Sequence, residues 1–183
     1  MLIPDFLKDQ TVMFVEDDDF AREELAKLLN KLFKKVILAS NGLEGLEKYG
    51  RAKITNEKID LILSDINMPI MNGLEMLEKI REIDSLVPLI FITARSESDN
   101  ILKAIDLDVS SYIIKPIDMS LLIRKVTEVC EKTFFEKEIL EKQKEHQKYL
   151  DALDSVTLVY KMDVDGNISF ANKKLLEISK YTL

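Results

Sequence analysis

The sequence is poor in the residues that build disulfide and zinc frameworks. It contains one cysteine, one histidine and no tryptophan among 183 residues. A lone Cys130 excludes a disulfide framework and a cysteine-based zinc site. We interpret it as a small buried hydrophobe on a predicted helix.

Long apolar runs and an excess of basic residues are also missing. No run approaches the ~20 residues needed to span a bilayer, and the first ten residues lack the basic start of a signal peptide. The net charge is −7, which argues against nucleic acid as the main partner because neutralising phosphates requires a basic surface. We therefore expect a cytoplasmic protein that binds neither membrane nor nucleic acid.

Short apolar runs rich in valine and isoleucine alternate with amphipathic segments over the first two thirds of the chain. Nearly continuous apolar runs are typical of parallel strands covered on both faces. The pattern predicts an α/β protein with a five-stranded, parallel, doubly wound sheet. The predicted strands are 11–16, 35–39, 59–65, 88–94 and 111–116, and the predicted helices are 19–33, 42–49, 73–83 and 97–105.

A long C-terminal helical extension is predicted to follow. Asp118 is a suitable N-cap, and residues 119–153 contain neither glycine nor proline. Such a helix would extend about 50 Å, so a domain of this size cannot bury its far half. Residues 131–153 are therefore interpreted either as a solvated charged helix or as a coiled-coil-like linker that forms a homodimer. The register of such a coil is left open because Gln143, Lys144 and Gln147 interrupt the apolar seam.

The last 30 residues have a different pattern. Runs of β-forming residues at 157–162 and 168–171 flank Asp165-Gly166, which predicts a hairpin turn. Asp163, Asp165 and Asn167 suggest a calcium loop, but Gly166 comes too early for the 12-residue loop. We expect residues 154–183 to be the truncated start of a second domain.

Polar residues follow the predicted strands where each strand ends. Glu16 and Asp17 follow the first strand, Asp65 ends the third, Thr93 the fourth, and Lys115 lies close to the end of the fifth. In a parallel sheet these positions meet at one edge, where α/β proteins bind ligands. Converging carboxylates repel one another, and a divalent cation such as Mg²⁺ relieves this repulsion.

This set of residues suits phosphoryl transfer to a carboxylate. A carboxylate can act as a nucleophile toward phosphorus, and the transfer then depends on positioning and on neutralising the phosphoryl oxygens. Mg²⁺, the Lys115 ammonium and the Thr93 hydroxyl would each take one oxygen. Each residue alone has an ordinary structural explanation as a cap or a turn, but their common order and strand position favour the functional interpretation.

The segments VEDDDFAR, LILSDINMPIMNG, FITAR and YIIKP resemble the receiver domain of bacterial two-component response regulators. The resemblance covers about residues 11–130 and implies a flavodoxin-like sheet. It also implies that the protein is not an enzyme beyond its own phosphorylation and dephosphorylation. The implied partner is a histidine kinase or a phosphotransfer protein, and the implied cofactor is Mg²⁺, with Mn²⁺ as an alternative.

Carried over by position, the resemblance makes Asp65 the phosphoacceptor. Asp17 and Asp65 would bind the metal directly, Glu16 through water, and Asn67 through its backbone carbonyl.

The remaining roles concern the phosphoryl group and the switch. Thr93 would be the switch hydroxyl and Lys115 the lysine that binds the phosphoryl group, while the small Ala94 would keep the site open. Tyr112 would be the switch aromatic, and Pro116 is the candidate cis-proline.

Two departures from the family pattern are visible. Asp108-Val109 stands where the family has Gly-Ala, and Asp tolerates the positive φ expected there. The segment RAKITNEK, residues 51–58, is predicted to be an extra loop.

The tail resembles the start of a PAS sensor domain, through the DxxGNIxxxN pattern formed by Asp163, Gly166, Asn167, Ile168 and Asn172. The resemblances predict a receiver domain at 1–130, a linker at 131–153 and a partial PAS domain at 154–183. The cognate kinase, the stimulus and the output domain are not predicted.

The sequence features also allow three rival functional interpretations. A dimerisation module with the receiver fold would not need the acidic set. A haloacid-dehalogenase-type phosphatase needs a second Asp where this chain has Asn67. His146 lies in KEHQKYL, which lacks the Arg and Pro expected beside a kinase phosphoacceptor, so we interpret it as an ordinary solvated or seam histidine.

Overall fold

A five-stranded parallel sheet forms the centre of the protein. The computed structural model describes residues 5–94 and 107–180. The strand order is β2-β1-β3-β4-β5, and every neighbouring pair is parallel. This confirms the predicted α/β, doubly wound, flavodoxin-like fold. The strands are β1 Thr11–Val15, β2 Lys35–Ala39, β3 Leu61–Asp65, β4 Leu89–Thr93 and β5 Ser111–Ile114.

Helices follow the strands in alternation. A short 3₁₀ helix at Asp5–Asp9 precedes β1. The helix predicted over 97–105 lies outside the described residues. The helices are α1 Asp19–Leu32, α2 Gly42–Ile54, α3 Gly73–Ile83 and α4 Met119–Val156.

The end predicted for α2 was wrong. Residues 51–58 do not form a loop throughout, because α2 continues through Gly50 to Ile54. Arg51, Ala52 and Lys53 are good helix formers, and Ala52 is buried against the core. Burial of one more turn therefore outweighs the helix-weakening effect of Gly50.

Two apolar layers sandwich the sheet. Strands β1, β3 and β4 are buried at every position, which explains their nearly continuous apolar sequence. Alternate residues of each strand point to opposite faces. Met13, Ile62 and Phe91 belong to the layer that includes α2 and α3. Phe14 and Leu63 belong to the layer that includes α1 and the start of α4.

Side-chain caps fix where three of the helices begin. The carboxylate of Asp18 accepts a hydrogen bond from the amide of Ala21 at 2.7 Å, and Asn41 caps α2 in the same manner. Asn72 and Glu75 form a reciprocal capping box at the start of α3. Each cap lies in a loop that leads from a strand to the next helix, so all three caps stand at the same edge of the sheet.

The chain divides into two compact units, Met1–Thr133 and Phe134–Leu183. Helix α4 begins in the first unit and ends in the second. The second unit contains an antiparallel hairpin, β6 Tyr160–Met162 and β7 Ile168–Ala171, and helix α5 Lys173–Ser179. The hairpin predicted around Gly166 is present, and the glycine has a φ of 88°. The boundaries at 130 and 153 stay a prediction.

Among the described residues, no helix combines the length and apolar character that crossing a bilayer requires.

Asp84 joins the end of α3 to α2 at the amino end of the sheet. Its carboxylate accepts hydrogen bonds from the Tyr49 hydroxyl at 2.9 Å and from the amides of Leu86 and Val87, and it pairs with Lys53. Burial alone would raise the pKa of Asp84, but the bonds from Lys53, Leu86 and Tyr49 lower it to about 2. Burial and the Asp84 hydrogen bond raise the pKa of Tyr49.

The lowered pKa of Asp84 predicts that part of the free energy of unfolding is lost in acid. The pKa of Asp84 falls from 3.8 to about 2 on folding. Its contribution is therefore present above pH 4 and is lost as the pH falls through about 2. We expect Asp84→Asn to lower the free energy of unfolding by about 1 kcal/mol at pH 7, allowing for solvent screening, and by much less near pH 2. Urea unfolding at both pH values measures this.

Glu78→Gln is the matched control, because it also removes one carboxylate, but at an exposed position of α3. An equal pH-dependent loss in that variant would attribute the effect to net charge rather than to the Asp84 contacts.

Candidate functional site

Four neighbouring strands bring their polar ends to one edge of the sheet. Asp65 is the last residue of β3, and Glu16 directly follows β1, which pairs with β3. Thr93 ends β4 opposite Ile114, the last residue of β5. The carboxylates of Glu16, Asp17 and Asp65 each place one oxygen within 4.8 Å of the others. The expected convergence of these acids is present in the structure.

Lys115 extends from the end of β5 into this acidic group. Its ammonium lies 2.5 Å from Asp65 Oδ2 and 3.0 Å from Glu16 Oε2. Its backbone amide donates to the carbonyl of Thr93 at 2.7 Å. The side chain therefore links residues from β1, β3 and β5, and its main chain is held by β4.

Burial decides the electrostatics of this cluster. Glu16 and Asp65 are 2% and 7% exposed, whereas Asp17 is exposed. Burial raises the pKa of Glu16, the charge of Asp65 raises it further, and the hydrogen bond from Lys115 offsets this only in part. Burial would lower the pKa of Lys115, but its hydrogen bonds to Asp65 and Glu16 outweigh burial and raise it.

The donor set fits a hard divalent cation. One ammonium stands among three carboxylates, so ionisation of all three leaves excess negative charge. All three offer oxygen, the ligand type that Mg²⁺ prefers, and their oxygens are close enough to share one ion. The exposed Asp17 gives the cluster access to solvent, from which a hydrated ion can enter.

Asn67, Thr93 and Ala94 lie around this cluster in different ways. The backbone amide of Asn67 donates to Asp65 Oδ1 at 3.3 Å. Metal binding by its backbone carbonyl stays a prediction. Thr93 is completely buried at the end of β4. Ala94 follows it and is exposed.

Comparison with known proteins identifies the family. The family model for the response regulator receiver domain matches residues 12–127. The chain belongs to this family.

Among relatives, the chain is 31% identical over 119 residues to the chemotaxis protein CheY of Treponema pallidum, covering 64% of this chain and 81% of that protein. It is 33% identical over 134 residues to a probable transcriptional regulator, ycf29, of Porphyra purpurea, covering 72% of this chain and 62% of the relative. The chain therefore spans less than two thirds of that longer relative.

A solved structure shares the fold. The CheX–CheY–BeF₃–Mg²⁺ complex of Borrelia burgdorferi contains a chain 26% identical to this one, with a TM-score of 0.60, covering 66% of this chain and 88% of that chain. Receiver domains bind Mg²⁺ at an acidic pocket and interact with histidine kinases or phosphotransfer proteins. They are typically signalling modules rather than enzymes.

Three further expectations for a receiver domain can be compared with the structure. Tyr112 lies on the edge strand β5 and is 52% exposed, so it does not contribute to the acidic cluster in this conformation. The peptide bond between Lys115 and Pro116 is cis, as expected. Asp108 has a φ of 50°, which confirms that Asp adopts the positive φ at the position where the family has Gly.

The sequence pattern predicted no role for Arg22, whose side chain binds the backbone of the acidic loop formed by Glu16 and Asp17. Its guanidinium donates to the carbonyl of Glu16 at 2.7 Å and lies 3.4 Å from that of Asp17. It also pairs with Asp19. Its place one helical turn after the Asp18 cap was the available signal, since that spacing points the side chain back toward the start of α1.

The loop after β3 contains a strained turn. The amide of Met71 donates to the carbonyl of Pro69 at 2.8 Å, and Ile70 between them has a φ of 71°. These are the features of a γ-turn of the rare, strained type, at a β-branched residue that disfavours positive φ. The Met71 carbonyl accepts from the Gly42 amide at 3.0 Å, which fastens the turn to the start of α2.

Gly73 allows the main chain to pack beside the backbone of Asp65. Its amide donates to the carbonyl of Ile66 at 2.7 Å. A Cβ at this residue would lie 2.2 Å from the backbone oxygen of Asp65 and 2.9 Å from the ring of Phe91. The backbone that carries Asp65 therefore depends on a missing side chain at the start of α3.

This close approach yields a paired prediction. We expect Gly73→Ala to destabilise the protein by roughly 1–3 kcal/mol, because the backbone around Asp65 must shift. Gly50→Ala is the matched control: it lies inside α2, and its Cβ would meet nothing within 4 Å. It should stabilise the helix by about 0.5–1 kcal/mol. Denaturant unfolding of both variants tests this, and equal effects would contradict the close-packing argument.

Proposed function

We propose that this chain is a phosphoacceptor receiver of a two-component system. Asp65 accepts a phosphoryl group from a histidine kinase or phosphotransfer protein in the cytoplasm, with Mg²⁺ bound by the acidic cluster. The single observation that carries the proposal is the position of the Asp65 carboxylate, which lies at the end of a buried strand, contacts the Lys115 ammonium and has two other carboxylates within 4.8 Å.

Different residues of the cluster have different roles in transfer of the phosphoryl group from a phosphohistidine. An oxygen of the Asp65 carboxylate forms the new bond to phosphorus, and the phosphorus–nitrogen bond breaks. The electron pair of that bond returns to the imidazole nitrogen of the donor. Lys115 offsets the negative charge on a phosphoryl oxygen.

Glu16, Asp17 and Asp65 would hold the metal, together with the backbone carbonyl of Asn67. When bound, Mg²⁺ supplies positive charge that offsets the charge of the carboxylates and of the phosphoryl oxygens. The presence of BeF₃ and Mg²⁺ in the Borrelia complex supports this combination of ligands for a related receiver.

The proposed switch begins with Thr93 and Lys115. Both are drawn toward the phosphoryl group, and Tyr112 rotates from its half-exposed position into the space that Thr93 leaves. The resulting change at β5 reaches α4, which follows β5 after a short loop. We assign residues 131–153 to a signalling linker and 154–183 to the start of a PAS domain.

Phosphorylation of one residue is the direct test. Incubation with a small-molecule phosphodonor and Mg²⁺ should add one phosphoryl mass to the wild-type chain in intact mass spectrometry. Asp65→Asn should remove the added mass, because the amide is isosteric but not nucleophilic. Chelation of Mg²⁺ with EDTA should also suppress it, since the carboxylates would then repel the donor.

Asp60→Asn is the matched control, because Asp60 is a buried carboxylate at the opposite end of β3. The control should still gain the phosphoryl group. An unmodified wild type, or an equal mass gain in Asp65→Asn, would refute the assignment.

An exposed apolar stripe favours a second candidate function, homodimerisation. Phe135, Ile139, Tyr149, Leu153 and Val156 are each more than half exposed on α4, and their spacing follows a heptad repeat that Lys142 and His146 interrupt. A second copy of the chain would bury this stripe, with or without phosphorylation.

Light scattering distinguishes the two candidates. Substituting Ile139 and Leu153 by Asp should convert a dimer to a monomer, because each change places a charge in the seam. The matched control replaces Lys137 and Lys148, which lie outside the seam, by Glu. Dimers that are identical with and without a phosphoryl mimic would favour a constitutive dimerisation module, and a wild-type monomer in both states would exclude the dimer.

A further inference from the structure

Asn172 stands apart from the other described residues of the second unit by its burial. It is 2% exposed, and it is the only buried residue in 134–180, all of which the structure describes. Burying a carboxamide is unfavourable unless its hydrogen-bonding groups are satisfied. The hydrogen bonds of this side chain therefore show which elements of the second unit it connects.

The amide nitrogen of Asn172 contacts the end of α4. It donates to the carbonyl of Asp154 at 3.2 Å and to the carbonyl of Thr157 at 2.8 Å. The carbonyl of Asp154 belongs to the last turn of α4, where helices leave their carbonyls without intrahelical partners. Asn172 thus supplies donors that the helix itself cannot provide.

The amide oxygen of the same side chain serves the other two elements. It accepts from the amide of Val159 at 3.1 Å and from the amide of Leu175 at 3.1 Å. The second bond makes Asn172 the N-cap of α5. The backbone amide of Asn172 also donates to the carbonyl of Val159 at 2.9 Å, which extends the pairing of the hairpin by one rung.

Charged side chains surround the same junction. A surface groove in this unit is lined by Asp151, Asp154 and Ser155 of α4 and by Lys173, Lys174 and Glu177 of α5. Two acidic residues of one helix thus share the groove with two lysines of the other. Exposed charges of this kind contribute little by themselves, so the buried carboxamide remains the specific link.

We propose that Asn172 is the joint that fastens the end of α4 to the hairpin and to α5, so that a displacement of α4 reaches both elements through this side chain. Its donors hold the helix end, and its acceptor holds the other two elements. Asn172 is a positioning residue in this role. The proposal concerns the second unit alone and does not depend on phosphorylation of Asp65.

Substitution by Asp separates the two halves of the joint. Asn172→Asp keeps the acceptor for Val159 and Leu175 but lacks the donors to Asp154 and Thr157. In the full-length chain, we expect amide hydrogen exchange to accelerate about tenfold in the last turn of α4, as two hydrogen bonds are lost. Exchange in α5 should stay unchanged or slow, because a carboxylate is a good cap at a helix N-terminus.

Asn172→Ser tests the same separation without adding charge, since Ser also caps a helix but is too short to reach the carbonyls of both Asp154 and Thr157. Asn72→Asp is the matched control, because Asn72 caps α3 in the first unit. It should leave exchange in the second unit unchanged. Equal acceleration throughout the second unit in both Asn172 variants would overturn the proposal, since Asn172 would then only be required for folding. Unchanged exchange at the end of α4 would also overturn it.

Transmission through the joint is tested by a double-mutant cycle. Ala152→Gly weakens the end of α4, and through the joint it should increase exchange in α5 about fivefold. In the Asn172→Ser background the same change should leave α5 unaffected. An equal effect of Ala152→Gly on α5 in both backgrounds would show that Asn172 does not carry the coupling.

Discussion

The contact between the Lys115 ammonium and the carboxylates of Asp65 and Glu16 is the constraint around which the first unit is organised. Buried acids at neighbouring strand ends would repel one another, and Lys115 offsets this repulsion with hydrogen bonds as well as charge. Its ammonium must cross from β5 to β1 and β3 to do so. The parallel arrangement makes this possible, because it brings the carboxyl ends of all the strands to the same edge.

The residues around the acidic cluster contact its main-chain atoms rather than its carboxylates. Arg22 binds the carbonyls of the acidic loop, the hydroxyl of Ser64 donates to the carbonyl of Asp65, and Gly73 lets α3 begin directly against the same carbonyl. The carboxylates themselves keep few contacts apart from Lys115. This division leaves the acids available to a ligand while their positions stay fixed, which is the arrangement that preorganised sites require.

The sequence predicted the parts of this protein that depend on strand pattern and residue type. The strands and the meeting of Glu16, Asp65 and Lys115 follow from apolar runs that end in polar residues, and the long helix follows from a segment without glycine or proline. The true end of α2 was missed because Ala52 is buried by tertiary packing, which overrides the local effect of Gly50. The roles of Arg22 and Gly73 were missed because both act on main-chain atoms, whose positions a pattern of side chains does not reveal.

The origin of the cluster in separate strands has a consequence for folding. Glu16, Asp65 and Lys115 are separated by 49 and 50 positions along the chain, and the strands that precede or carry them are joined only when β1, β3, β4 and β5 have paired. A partly folded chain therefore has the acids and the lysine but not the site. The site at this edge is therefore assembled only late in folding, after four strands that are distant in sequence have paired.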